Sequence, residues 1–400
     1  MYNKVFHAIK GFIKTSLLLP FDCIFKRDEN KVVFVVRQNT YYSGNLRVVC
    51  EHLSQNTKLK LYVYKTDKCK HEIKNSLEEQ GITVLDHFTP RAIYHLLTAK
   101  YFILSHSPLN AHISKACHKR VIINLWHGVA IKGIELLMPH IHPVRKKKME
   151  QNSQIINHMI ASSKADQDII SRSFGLPLEK VHITGLPRYD LLSSKYNFDT
   201  YLQEQEQKLI QLKGDKKLIL YAPTFRDHSN SPLMQISQNE WKKIEVFLLK
   251  NNAILGIRTH PYDKSFPENL EKNKNFISLG NDEFTEPSLV LKATDILIVD
   301  FSSIWVDFLI LDRPILGYAK DYKHYLHSER GFVYDFDKVF PSKFSSTIED
   351  LLLRLEEIFV TQHFFIEYSF QKELLVNYHG NNAITNYEKL IWKQLSPTKN

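Results

Sequence analysis

Residues 293–318 read ATDILIVDFSSIWVDFLILDRPILGY. ILIVD is apolar without alternation, as a strand buried on both faces is, and PILGY repeats that character. Between them SIWVDFLILD has a helical pattern of mixed burial. Strand, helix and strand in this order indicate parallel pairing within an α/β sheet. Ser302 and Ser303 fall where the helix begins. Free backbone N–H groups and the helix dipole attract anions there, and two hydroxyls add donors suited to a phosphate. The same two serines also suit a simple helix cap.

Moving outward, the alternation repeats on both sides. Candidate strands upstream are KVVFVVR (31–37), KLYVYK (60–65), YFILSH (101–106), VIINLWH (121–127), HMIASS (158–163) and VHITGLP (181–187). Helical patterns separate them: LRVVCEHL (46–53), HEIKNSLEEQ (71–80), RAIYHLLTAK (91–100) and KADQDIISRSF (164–174). A polar stretch over 193–217 breaks the rhythm and predicts a connecting helix with a turn at Gly214-Asp215. The alternation resumes with KKLILYAPT (216–224), AILGIRTH (253–260), FISLG (276–280), ILIVD (296–300) and PILGYA (314–319). Two doubly wound halves are expected, spanning 31–200 and 201–400 with the boundary near 190–215. The helices over 347–359 and 382–395 either finish the second half or cross back onto the first.

The chain has 400 residues and a net charge of +10, a balance that favours anionic partners. The four cysteines, Cys23, Cys50, Cys69 and Cys117, show no CxxC pairing, so they give no zinc or disulfide framework and suit a reducing compartment. No run approaches the apolar length of a spanning helix. Residues 1–30 form a separate segment in which Val5, Phe6, Ile9, Phe12 and Ile13 recur at helical spacing among Lys4, Lys10 and Lys14. That pattern fits a basic amphipathic helix on anionic lipid, or a helix packed on the protein body.

In open parallel sheets ligands sit beyond the carboxyl ends of the strands. His127, at the end of VIINLWH, is a candidate general base or acid, since an unperturbed imidazole titrates near neutrality. Gly128 after it permits close approach of a ligand to the backbone. Arg258 and His260 lie two apart at one strand end and suit a pyrophosphate, the first by charge and the second by a proton or hydrogen bond. YAPTFRD offers Thr224 and Arg226, the latter as a phosphate clamp or as an ion-pair partner of Asp227. DFD (335–337) has the form of a metal-binding pair but follows no hydrophobic strand. Phosphate-loop, dinucleotide-fingerprint, nucleophile-elbow and zinc-ligand spacings are absent from the sequence.

Taken in order, WHGVAIKG (126–133), GLPRYD (185–190), YAPTFRD (221–227), RTHP (258–261), DILIVDFSSIWVDFLILDRPI (295–315) and SERGFVYDF (328–336) resemble the CDP-glycerol glycerophosphotransferase family of teichoic acid primases, polymerases and related capsule polymerases. YYSGNLRVVCEHL (41–53) is similar to the family segment after its first strand. The resemblance implies a GT-B-like pair of Rossmann-type domains with the active site in the cleft between them. It implies transfer of glycerol phosphate from CDP-glycerol, or a related CDP-polyol, to a glycan or lipid-linked acceptor, with no cofactor or metal required. By the same carry-over His127 is the base and His260 acts at the donor pyrophosphate. Thr224, Arg226, Arg258, Asp300, Ser302, Ser303 and Arg330 would hold the donor. One departure is that Val129-Ala130-Ile131-Lys132 follows WHG where the family has Thr-Pro-Leu-Lys, which bears on acceptor contacts. A cytoplasmic enzyme on the inner face of a bacterial membrane, with no nucleic-acid partner, is the expectation. A CDP-ribitol-dependent ribitolphosphotransferase and a GT-B glycosyltransferase using a nucleotide sugar are the alternatives. A non-catalytic basic binding protein is a poorer fit, because the informative residues sit at strand ends rather than along a face.

Overall fold

The strand–helix alternation folds into two sheets in which every strand pairing among the described residues is parallel. The structure is a computed structural model and describes residues 21, 24–36, 41–55, 58–65, 71–106, 120–139, 141–193, 196–224, 232–259, 266–267, 270, 272–322, 324–325, 331–378 and 382–395. The amphipathic segment expected at the N-terminal end lies almost wholly outside them, as do Arg226, His260 and Arg330.

The first sheet is built from β1 (Asp28–Val35), β2 (Lys60–Tyr64), β3 (Thr83–Leu85), β4 (Ala99–Leu104), β5 (Val121–Asn124), β6 (His158–Ala161) and β7 (Val181–Ile183), in the order β3-β2-β1-β4-β5-β6-β7. The second contains β8 (Lys217–Ala222), β9 (Ala253–Ile257), β10 (Phe276–Ser278), β11 (Ile296–Val299), β12 (Ile315–Tyr318) and β13 (Phe344–Ser345), in the order β10-β9-β8-β11-β12-β13. Both orders run outward in two directions from a switch point, β1/β4 in one sheet and β8/β11 in the other. This is the doubly wound arrangement.

Burial explains the apolar strands. Val32, Val33 and Phe34 are 0% exposed, as are Ile296, Leu297 and Val299. A side chain of this kind contributes about 1.5–3 kcal/mol when fully buried. Local signals set the helix ends. Ser163 caps Lys164–Phe174, which stops at Gly175 in the left-handed region (φ 60°), and Ser237 with Glu240 forms a capping box on Gln238–Lys250. The sequence did not mark β3 or β13, each at the edge of a sheet and only three and two residues long. The helix expected over 303–312 is shorter: Ile304–Phe308 is α-helical, Leu309–Leu311 tightens to a 3-10 turn, and Asp312 ends it at φ 51°.

The chain divides into two units, one comprising residues up to His127, Ile134–Asp190 and His379 onward, the other Gly128–Gly133 and Leu191–Tyr378. The boundary therefore falls at 190/191 rather than 200/201, and each unit takes in a segment that simple bisection gave to its neighbour. The helix Ile348–Thr361 stays with the second sheet, its Ile348, Leu351 and Leu355 buried there. Residues 383–395 cross back to the first unit. There Asp190 accepts from the Ile384 N–H at 3.0 Å, Trp392 packs on Tyr101 with centroids 5.1 Å apart, and His52 Nε2 lies 3.1 Å from Glu388.

Candidate active site

In the first unit, β4 and β5 are neighbours with Leu104 opposite Asn124, and the Leu125 N–H donates to the Leu104 carbonyl. Ser105-His106 and Trp126-His127 therefore leave the sheet side by side. The turn is held tightly. Trp126 sits at φ 48°, a region costing a bulky residue about 1–3 kcal/mol, and Gly128 at φ 151°. Asn124 Oδ1 accepts from the Trp126 N–H at 2.9 Å, while Asn45 Nδ2 donates to the carbonyls of Leu125 and Trp126 at 3.0 and 3.2 Å. Arg188 donates through Nη1 to the His127 carbonyl at 2.7 Å, and its own N–H is received by Asn45 Oδ1 at 3.1 Å.

His127 is exposed, and its Nδ1 lies 3.1 Å from the Ser105 carbonyl oxygen. A carbonyl only accepts, so Nδ1 carries the proton, and in the neutral ring Nε2 carries the lone pair. That is the tautomer a general base needs. The strained turn presents the ring, and two asparagines and an arginine hold the turn.

After His127, Val129, Ala130 and Ile131 are buried (3%, 4% and 2% exposed) and belong to the second unit. Gly133 N–H donates to the Gly331 carbonyl, Val333 N–H to that of Ile131, and Lys132 bridges Phe332. The residues that stand in place of Thr-Pro-Leu are thus packed inside the protein.

In the second unit Thr224 follows β8 and Asp300 follows β11, so they meet across the switch point. Asp300 is fully buried and receives the Thr224 N–H at 2.8 Å, the Thr224 hydroxyl at 2.6 Å and the Phe301 N–H. Asp300 is a brace that fixes the two loops, and Thr224 is its partner. Arg258 likewise is 6% exposed and donates to the carbonyls of Leu279 (2.7 Å) and Phe284 (3.0 Å) and to Asn281. In this structure its guanidinium organises the loop after β10.

Ser302 and Ser303 are half-buried. Ser303 occupies the N-cap position without a side-chain cap bond, and Ser302 Oγ meets the Ile304 N–H only at 3.5 Å. Capping does not account for both hydroxyls. Beneath them Phe301 is fully buried and stacks on Tyr325 at 3.8 Å, continuing into Phe332, Phe336 and Phe344. In the DFD stretch Asp335 pairs with Lys338 and Asp337 receives the Tyr322 hydroxyl. Among the described residues no group of three or more His, Cys, Asp or Glu could hold a metal ion.

Sequence reasoning passed over Asn45, Ser105 and His106, and it marked Arg188 only as part of a strand end, Gly185-Leu186-Pro187-Arg188, without a role. Asn45 lay in a motif noted only for resemblance. Nothing in one sequence shows that residues 143 positions apart are hydrogen-bonded.

The sequence profile of CDP-Glycerol:Poly(glycerophosphate) glycerophosphotransferase matches residues 18–391. A teichoic acid poly(glycerol phosphate) polymerase of Bacillus spizizenii is 29% identical over 340 residues, covering 82% of this chain and 84% of that protein. The teichoic acid ribitol-phosphate polymerase TarL of Staphylococcus aureus is 28% identical over 339 residues, and the match spans 82% of this chain but 56% of that protein. A solved structure of the wall teichoic acid polymerase TagF superposes with a TM-score of 0.77 at 18% identity, covering 98% of this chain and 97% of that one. The fold is thus a GT-B-like pair of Rossmann-type units. With the profile spanning nearly the whole sequence, the chain belongs to the CDP-glycerol:poly(glycerophosphate) glycerophosphotransferase family.

Proposed function

We propose that the chain transfers glycerol phosphate from CDP-glycerol to a hydroxyl of a glycan or lipid-linked acceptor and releases CMP. The acceptor oxygen forms the new bond to the distal phosphorus of the donor, and the bond from that phosphorus to the bridging oxygen breaks. His127 Nε2 takes the hydroxyl proton, and the electron pair leaves with CMP. Attack is in line and inverts the phosphorus. The observation that carries the reading is the His127 ring, held by the Ser105 carbonyl in the tautomer of a base at a strand end.

Phosphoryl transfer needs chiefly positioning and charge stabilisation. Ser302 and Ser303 suit the donor's phosphates, with hydroxyls that capping does not occupy. His260, Arg226 and Arg330 are assigned to the same task from their motifs, and Arg258 shapes the loop after β10. Ribitol phosphate is the second reading of the donor, favoured by the similarity to TarL.

An anionic membrane surface is proposed as the place of work. No helix among the described residues is long and apolar enough to cross a membrane. The exposed helix Pro143–Ser153 carries Arg145, Lys146, Lys147 and Lys148 in succession, a run suited to acidic headgroups.

The test is to incubate the purified protein with CDP-glycerol or CDP-ribitol and candidate acceptors. CMP release with phosphorus in the product is expected. A product containing sugar but no added phosphorus, formed from a nucleotide sugar, would replace this reading with the glycosyltransferase one. Sedimentation with vesicles of acidic but not neutral phospholipid is the corresponding result for the membrane.

A further inference from the structure

We infer that His106 is a positioning residue for His127, holding the ring of the proposed base flat against its own so that Nε2 keeps one direction. The inference rests on the assignment of His127 as base and extends it.

The two imidazoles lie nearly parallel, at 10° between planes with centroids 4.3 Å apart. The Trp126 ring adds a second contact to His127 at 4.1 Å and 40°. His106 is itself anchored at both ends. Its Nδ1 lies 2.9 Å from Ser105 Oγ, and its carbonyl accepts from Asn124 Nδ2 at 3.1 Å. Asn124 also receives the Trp126 N–H, so one side chain ties the His106 main chain to the turn that carries the base.

The arrangement answers a mechanical need. The hydrogen bond from Nδ1 to the Ser105 carbonyl fixes the tautomer, while small rotations about χ1 and χ2 still let the ring swing. A flat group against the face removes the swing. Pre-ordering of this kind matters to the chemical step, because a base misdirected by about 1 Å loses about a hundredfold in rate. An aromatic face also accommodates the imidazolium that forms once His127 takes its proton.

The reason both residues meet is the sheet. Leu104 stands opposite Asn124, so the second residue past β4 arrives beside the third past β5. The contact depends on parallel neighbours ending in register.

The experiment compares His106→Ala, His106→Leu and His106→Phe with His127→Ala in steady-state assays of CMP release. Loss of the flat ring in His106→Ala should lower kcat 10- to 100-fold while KM for the CDP donor stays within twofold. His106→Leu, which fills the space without a flat face, should behave like His106→Ala and stands in for it should that variant fail to fold. His106→Phe restores the face and should return kcat to within threefold of wild type. A kcat within twofold of wild type in a folded His106→Ala or His106→Leu overturns the inference. So does a folded His106→Phe as slow as His106→Leu. Should His127→Ala turn over normally, the base assignment itself fails. An inactive His127→Ala beside an unimpaired His106→Leu sinks only the stacking role.

Discussion

At the end of β5 the proposed base is itself braced. His127 has its Nδ1 on a carbonyl, its ring on His106 and Trp126, and its main chain under Arg188. At the end of β11 the brace belongs to a residue two positions before the proposed phosphate-binding pair. Asp300 is locked to Thr224 and buried, while Ser302 and Ser303 follow it without comparable ties. A proton acceptor must present one atom in one direction. A phosphate, with several oxygens, accepts donors over a wider range of angles, so fixing the backbone that carries them is enough. Two strand ends of the same fold thus carry rigidity at different places.

The comparison breaks most sharply at His127. His127→Ala should reduce turnover by about 10²- to 10⁴-fold with the thermal midpoint unchanged, because the ring is exposed and its loss leaves the turn intact. Activity near wild type would remove it from the mechanism. Asp300→Ala should act on stability instead, lowering the unfolding free energy by about 3 kcal/mol, because the Thr224 N–H and hydroxyl lose a buried charged acceptor. Denaturant titration with no shift in midpoint would contradict the brace.

Asn45→Ala is the matching test in the first unit. It leaves two carbonyls and the Arg188 N–H without that side chain, and a loss of about 2 kcal/mol with a several-fold fall in kcat is expected. A change in neither quantity would detach Asn45 from the turn. Ser303→Ala should raise KM for the donor about fivefold, the equivalent of roughly 1 kcal/mol, and barely move kcat. Unchanged KM would assign the anion to other groups.

The smallest effect lies away from both strand ends. His158 Nδ1 is 3.0 Å from His182 Nε2, and burial pushes the His158 imidazole down to about 4 and that of His182 down as well. Each folded value lies below the ordinary 6.5, so the unfolded chain binds more protons on the acid side. The stabilisation is complete above about 6.5 and is lost as pH falls from there through about 4. Denaturation midpoints measured from pH 7 to pH 4.5 should fall less steeply in His158→Gln than in wild type. Equal slopes would dismiss the pair as the cause.

The two-sheet architecture was legible because eleven of its thirteen strands form apolar runs, and sequence periodicity reports burial directly. β3 escaped as three residues, TVL, and β13 as two, FS, since an edge strand that short has no pattern to read. His127 stood out in the sequence from its place after VIIN. The meaning of Asp300 was not, because its partner Thr224 is 76 residues away and only the β8/β11 pairing brings them together. Arg258 carried the charge expected of an anion clamp, but charge alone does not disclose three oxygen partners within its own unit. His106 gave no signal because stacking is a property of register between strands.

The return of residues 383–395 to the first unit orders events during synthesis. Tyr387 and Ile391, both 0% exposed, complete that unit some two hundred residues after β7 has emerged from the ribosome. Until then the nascent first unit keeps an unfilled apolar seat, which invites aggregation or chaperone engagement. The second unit can fold meanwhile, so the unit translated first is the one finished last.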